Sequence, residues 1–187
     1  MKKIVLVTIL FFASLLILQA QYCPAPFYTV GTGANDYLNG FTCNTISNLN
    51  SGPSPAPYQI DYSSTMTTTL MMNNSYTATM YNCPGWTEGV NIWIDYNHNF
   101  LFDATELCGN VVMSPGATGT IVFTVPSTAT PGLTKMRVRL NYSPTTGFTP
   151  CGQYTYGEIE DYGVFIPPPA PIDAATTAIT APVSGCA

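Results

Sequence analysis

Lys135-Met-Arg-Val-Arg-Leu140 is the stretch that decides the fold. Apolar and basic residues alternate along it without a break, which is the period-two signature of a half-buried β-strand. The reading places Met136, Val138 and Leu140 inward and Lys135, Arg137 and Arg139 outward. Segments of the same kind recur on both sides of it. Upstream lie residues 41–46, 58–62, 65–70, 76–80, a strand within 86–96, 111–113 and 120–125. Downstream, residues 157–166 close the domain. These pieces are rich in Thr, Tyr and β-branched residues, which suit strands. Gly, Pro and Asn clusters such as Asn39-Gly40, Cys83-Pro-Gly85 and Ser114-Pro-Gly116 separate them. No stretch beyond the apolar N-terminus carries a helical period. Many short strands with Gly and Pro turns predict an all-β chain, a single antiparallel β-sandwich of Ig-like or jelly-roll-like type.

The N-terminus predicts export. Met1-Lys-Lys, an apolar run over residues 4–18 and the small Ala20 form a signal peptide pattern over residues 1–20. The apolar run is shorter than the ~20 residues that span a bilayer. Cys23 lacks the small residues that precede a lipid-anchored cysteine. A secreted or cell-surface protein is expected, with no stable membrane insertion after cleavage. Six Cys in such a chain imply disulfides, although six allow fifteen connectivities and the sequence selects none. Only 8% of residues are charged, and the net charge is −5. Losing Lys2 and Lys3 with the leader takes that −5 to −7. This acidity argues against nucleic acid and anionic lipid and leaves an extracellular protein or glycan as the expected partner. Pro167-Pro-Pro-Ala-Pro171 is a stiff polyproline spacer that ends the domain.

Asp95-Tyr-Asn-His-Asn-Phe-Leu-Phe-Asp-Ala-Thr-Glu106 carries the metal chemistry. Asp95, Asn97, Asn99, Asp103 and Glu106 occupy positions one, three, five, nine and twelve, and the Leu101 carbonyl stands at seven. Calcium takes about six to eight oxygen ligands, and these are the slots from which a twelve-residue loop supplies them. Three carboxylates drawn together repel, and a divalent cation offsets that repulsion. The preceding residues 90–95 alternate, so the loop follows a strand rather than a helix. Position six is Phe100 where a Gly normally makes the sharp turn. Either the loop curls differently or Asn99 takes the left-handed conformation. The alternative is a polar turn held by Asn and Asp side chains on nearby backbone.

Glu158 and Glu160 lie two apart on one strand, so both face the same side. Two cations could offset them. Arg137 and Arg139 form a matching two-apart pair on an expected neighbour strand; alternatively, one acid joins the calcium loop. We favour the arginine pairing. Acids projecting in parallel do not flank a bond as a glycosidase pair does. His98, the only His, lies in the polar loop and is expected to face solvent, so no nucleophile pair or two-His zinc motif is evident. The domain is therefore expected to be non-catalytic. Carbohydrate binding on exposed Trp86, Trp93 or Tyr faces is the runner-up, and a hydrolase using Glu158 or Glu160 is the third reading.

Gly157-Glu-Ile-Glu-Asp-Tyr162 resembles the signature of the GEVED domain, a β-rich module of exported bacterial proteins, especially in the Bacteroidetes. The resemblance runs from about residue 22 to 166. Trp93-Ile-Asp-Tyr-Asn97, Phe102-Asp103 and Glu106 resemble one family motif; Val125-Pro126, Ala129 and 131–139 resemble the next. Asn99-Phe100 replaces the family's usual Asp-Gly, removing one charge and the turn residue. Lys135 replaces the usual Arg. Such domains accompany proteases, Ig-like modules and type IX secretion sorting domains, which implies an accessory role in adhesion or in positioning attached domains. Residues 172–187 resemble the opening of a further Ig-like module, too short to fold, in which Cys186 would lack its partner.

Overall fold

The computed structural model describes residues 22–170 apart from Pro24 and Ala34. The expected leader, and residues 172–187 with Cys186, lie outside the described residues. The described residues form eleven strands: β1 Tyr28–Gly31, β2 Leu38–Cys43, β3 Ile46–Leu49, β4 Gln59–Asp61, β5 Thr67–Thr69, β6 Ser75–Asn82, β7 Glu88–Ile94, β8 Leu107–Met113, β9 Thr118–Thr124, β10 Gly132–Asn141 and β11 Tyr154–Ile166. A 3-10 turn, Ala104–Glu106, precedes β8. Among the described residues no helix is long and apolar enough to cross a membrane.

The strands form a two-sheet β-sandwich. One sheet runs β1-β11-β10-β7-β8, and the other runs β3-β2-β6-β9. The long strands pair antiparallel. Along the other edge of β11, the short strands β1, β4 and β5 pair in parallel, one after another. Met136, Val138 and Leu140 face the space between the sheets, as their alternation predicts. They pack there with Val90, Ile92 and Ile94 of β7 and with Phe41, Met80 and Phe123 of the smaller sheet.

The opposite face of β10 overturns an expectation. Arg137 and Arg139 are 0% exposed. A second apolar cluster, which includes Phe27, Tyr28, Phe102 and Phe148, covers them. Burial of a guanidinium is tolerable only when its donors are satisfied. Arg137 donates to both Asp161 oxygens, Nε–Oδ1 at 2.8 Å and Nη2–Oδ2 at 2.7 Å. Its Nη1 donates to the Pro150 carbonyl. Arg139 has no carboxylate; it donates to the Tyr28 hydroxyl and to the carbonyls of Phe27, Thr149 and Gly152. Aromatic rings line both groups, Phe27 and Phe102 at 5.2 and 4.9 Å from Arg137, Tyr28 and Tyr154 each at 4.8 Å from Arg139. A disulfide, Cys23–Cys151, joins the two covering segments. Cys43, Cys83 and Cys108 are free.

The favoured pairing of Glu158 and Glu160 with these arginines does not form. Register sets Arg137 opposite Asp161 and Arg139 opposite Ile159, while Val138 and Leu140 stand opposite Glu160 and Glu158. Paired residues share a face, so both glutamates point into the inter-sheet core with the apolar side of β10. Neither reaches the acidic loop. Glu158 accepts from the Leu38 and Ser54 amides, and Glu160 accepts from the Tyr162 hydroxyl. Both are 0% exposed, which also closes them to any substrate. Burial pushes both carboxyls well above the ordinary glutamate range. Glu88, equally enclosed, is pushed up to about 9 by burial, with the Asp36 and Glu158 carboxyls adding to it.

Two measurements test this account. Asp161→Asn leaves Arg137 an uncompensated buried charge, and urea unfolding should register a loss of about 3–5 kcal/mol; a loss under about 1 kcal/mol would contradict it. The buried glutamates give a pH signature of defined sign. Their folded pKa values exceed the unfolded ones, so the folded chain binds more protons in between, and stability falls as pH rises. It should be greatest below the ordinary glutamate value of 4.5 and decline as pH climbs through about 9. Thermal midpoints taken across that window should fall, and Glu88→Gln should flatten the slope.

Candidate metal centre

Strand β7 ends at Ile94, and the next residue, Asp95, is 0% exposed beneath the loop that follows. The chain curls there around its own side-chain oxygens. Asp95 Oδ1 accepts from the Asn99 amide at 3.2 Å, and Oδ2 accepts from the Phe100 amide at 3.1 Å. Asn97 Oδ1 accepts from the Asn99 amide at 2.9 Å, and Asn99 Oδ1 accepts from the Leu101 amide at 2.8 Å. Glu106 closes the ring from the far end. Its Oε1 accepts from the Tyr96 and Asn97 amides and its Oε2 from the Asp103 amide, which caps the 3-10 turn. Asp103 Oδ2 lies 3.1 Å from the Asn97 amide nitrogen and 3.0 Å from that of Asn99. Asp95, Asn97, Asn99, Asp103 and Glu106 thus share one hydrogen-bonded loop. The Leu101 side chain is hydrocarbon, so its carbonyl is the only group it can bring to a metal.

The turn is made by other residues than expected. His98 and Phe100 take positive φ, 59° and 65°, and Asn99 does not. Phe100 itself adopts the conformation that Gly usually supplies, at a cost of roughly 1–2 kcal/mol. Packing offsets this, because its ring meets Tyr22 edge-on at 5.7 Å. His98 is half-buried rather than solvent-facing, with its Cε1 against Gly132 and its Nε2 lacking a partner. Burial raises the Glu106 pKa, and the nearby Asp95 charge adds to that, against the lowering effect of its amide donors. Among the described residues the ion pairs are Lys135–Asp61 and Arg137–Asp161, so no Lys or Arg offsets the three loop carboxylates.

The donor set suits a hard cation in type, being all oxygen and triply acidic. Among the described residues no three His, Cys, Asp or Glu side chains alone converge on a metal position. A cation here needs the two Asn amides and the Leu101 carbonyl as well.

Tyr22 was not singled out by the sequence reading, yet it holds the loop. Its hydroxyl donates to Asp95 Oδ2 at 2.5 Å, and its ring stacks on Phe102 at 4.8 Å. A lone Tyr in a turn-rich stretch carries no signal of this contact. Of the two Trp, Trp93 belongs to the cluster over the arginines, and Trp86 is exposed at the other end of β7.

Residues 89–165 match the family model of the GEVED domain. Over these residues the chain is similar to the GEVED domain. The match opens in β7 and ends in β11, so it spans the loop, both buried arginines and the Gly157–Tyr162 signature; β1 to β6 lie before it. No match to a curated protein was found.

Tyr22→Phe tests the coupling of the acidic loop to the N-terminal segment. It deletes one hydrogen bond to a buried carboxylate, and urea unfolding should show a loss of about 1.5–3 kcal/mol. An unchanged midpoint would mean that Tyr22 does not hold Asp95.

Proposed function

We propose that this domain is a non-catalytic accessory module of an exported protein, with one structural calcium ion in loop 95–106, serving adhesion or the positioning of attached domains. One observation carries the calcium reading: three carboxylates with no basic partner are gathered, with two Asn amides, on a single curled loop. Asp95, Asn97, Asn99, Asp103 and Glu106 would hold the ion, with the Leu101 carbonyl. The Asp103 oxygen now receives two amide N–H groups, which supply the positive edge that a cation would replace. Turning those two amides over would present oxygen in place of nitrogen, at the loss of the Asn99 and Leu101 backbone N–H bonds that their oxygens now accept. Bound calcium supplies positive charge that lets the three acids stay ionised together, which is a structural service. The accessory reading is supported by the signal peptide pattern, the disulfide and the GEVED match.

Thermal unfolding in millimolar calcium and in excess chelator tests this. At a ligand concentration about a hundred times Kd, binding adds about 2.7 kcal/mol. For a chain of this size the midpoint should rise by roughly 5–10 °C. Asp103→Ala should erase the difference; Asp103 is only partly buried, so the variant should fold. Equal midpoints of the wild-type protein with and without calcium would remove the metal from the proposal.

A further inference from the structure

A second cavity lies at the end of β7 opposite the loop, on the order of 20 Å away along the strand. It measures about 200 Å³ and is lined by Asp36, Trp86, Tyr142 and Tyr156. Its residues come from four places in the chain: before β2, before β7, after β10 and within β11. The rings stand as walls. Trp86 and Tyr142 meet at 63° with centroids 5.7 Å apart, and Tyr142 and Tyr156 meet at 84° and 6.1 Å. Trp86 and Tyr142 are 48% and 37% exposed, so the mouth opens to solvent.

The floor is acidic and short of donors. Asp36 is 1% exposed, and its Oδ2 has no hydrogen-bond partner. Behind it stands Glu88, 0% exposed, its carboxyl hydrogen-bonded to that of Asp36. Burial raises the pKa of both acids. Among the described residues no basic side chain is free to reach it: Lys135 pairs with Asp61, Arg137 with Asp161, and Arg139 with Tyr28 and carbonyls. The two carboxyls can share one proton, and the negative charge that remains has no basic side chain beside it.

We propose that this cavity binds a compact organic cation of the alkylammonium class, its charged centre facing Asp36 and its alkyl groups against the rings of Trp86, Tyr142 and Tyr156. Aromatic faces attract such cations through the ring quadrupole, most strongly when the cation is desolvated. A hard metal ion wants six or more oxygens, and this lining offers one carboxyl and two Tyr hydroxyls among apolar ring faces. A sugar ring would find no flat aromatic platform, since neighbouring rings stand steeply to one another. The cavity admits a single head group, free or carried on a lipid.

Choline is the probe, and its uncharged isostere 3,3-dimethylbutan-1-ol is the control. The reporter is Trp86 fluorescence, against the buried Trp93 as background. Choline should give a saturable change, and the isostere should bind at least about tenfold more weakly. Asp36→Asn keeps the shape and removes the charge; it should weaken choline at least about tenfold. Trp86→Leu, followed by calorimetry, should do the same, and its exposed position makes it safe for folding. Asp103→Ala in the loop should leave choline binding unchanged, which separates this site from the calcium reading. Flotation with phosphatidylcholine vesicles distinguishes the two sources. Co-flotation lost in Trp86→Leu identifies a lipid head group, and choline binding without flotation identifies a free cation. Equal affinity for the isostere, no saturable response, a preference for N-acetylglucosamine, or unchanged binding in both cavity variants overturns the proposal.

Discussion

The structure is governed by the burial of two guanidinium groups. Taking a charged side chain out of water costs several kcal/mol even after relaxation, and only good hydrogen bonds and a paired charge offset it. Arg137 and Arg139 stand on adjacent same-face positions of β10, with neither in contact with water. Their acceptors are Asp161, two ring-bearing residues at 27 and 28, and the carbonyls of 149, 150 and 152. These sites are far apart in sequence. To meet the arginines, the N-terminal segment and the loop before β11 must both lie across the outer face of the sheet. Neither segment is held there mainly by strand pairing. What holds them is a set of carbonyls aimed at cations, with Cys23–Cys151 as a covalent tie across the same place.

The acidic loop is an extension of that arrangement. Phe102, on the loop, lies against the Arg137 guanidinium, and Tyr22 stacks on Phe102 and donates to Asp95. A contiguous path therefore runs from the paired Arg137 to the first residue of the loop. Whatever stabilises Asp95 as a carboxylate also holds Tyr22, and through it the segment that covers the arginines. The left-handed backbone at Phe100 fits this picture. Its strain is accepted because the ring lands on Tyr22, a contact that a Gly could not make.

Much of this was legible in the sequence, and the rest was hidden for definite reasons. The alternation through Lys135–Leu140 gave the strand and its apolar side, because period-two patterning maps directly onto the pleat. It did not say what covered the basic side. Solvent is the default cover for arginine, and the covering aromatics Phe27, Phe102 and Phe148 are scattered through irregular segments with no period to reveal them. The glutamates were misassigned for a subtler reason. Glu158 and Asp161 are three residues apart, and only the register of β11 on β10 decides which of them shares a face with the arginines; a shift of one residue exchanges the two sides. β1 and β3, four residues each, were too short and too polar to register as strands. The loop's ligand spacing was visible because it depends on local sequence alone, whereas Tyr22 reaches it from 73 residues away.

Charge is segregated across the larger sheet. Both buried arginines lie on its outer face, and Glu88, Glu158 and Glu160 are enclosed on the other side or at its edge with no base among them. Carboxyls so placed keep their protons at higher pH than usual, since a proton is the cation most easily fitted into a closed core. Glu158 and Glu160, walled in by both sheets, can be neutralised in no other way. Asp36 differs in one respect, because it forms the floor of a cavity whose aromatic walls open to solvent. There a larger cation can do what the proton does elsewhere. The distinction between a structural acid and a recognition site in this protein thus rests on access, while the underlying electrostatic demand is the same.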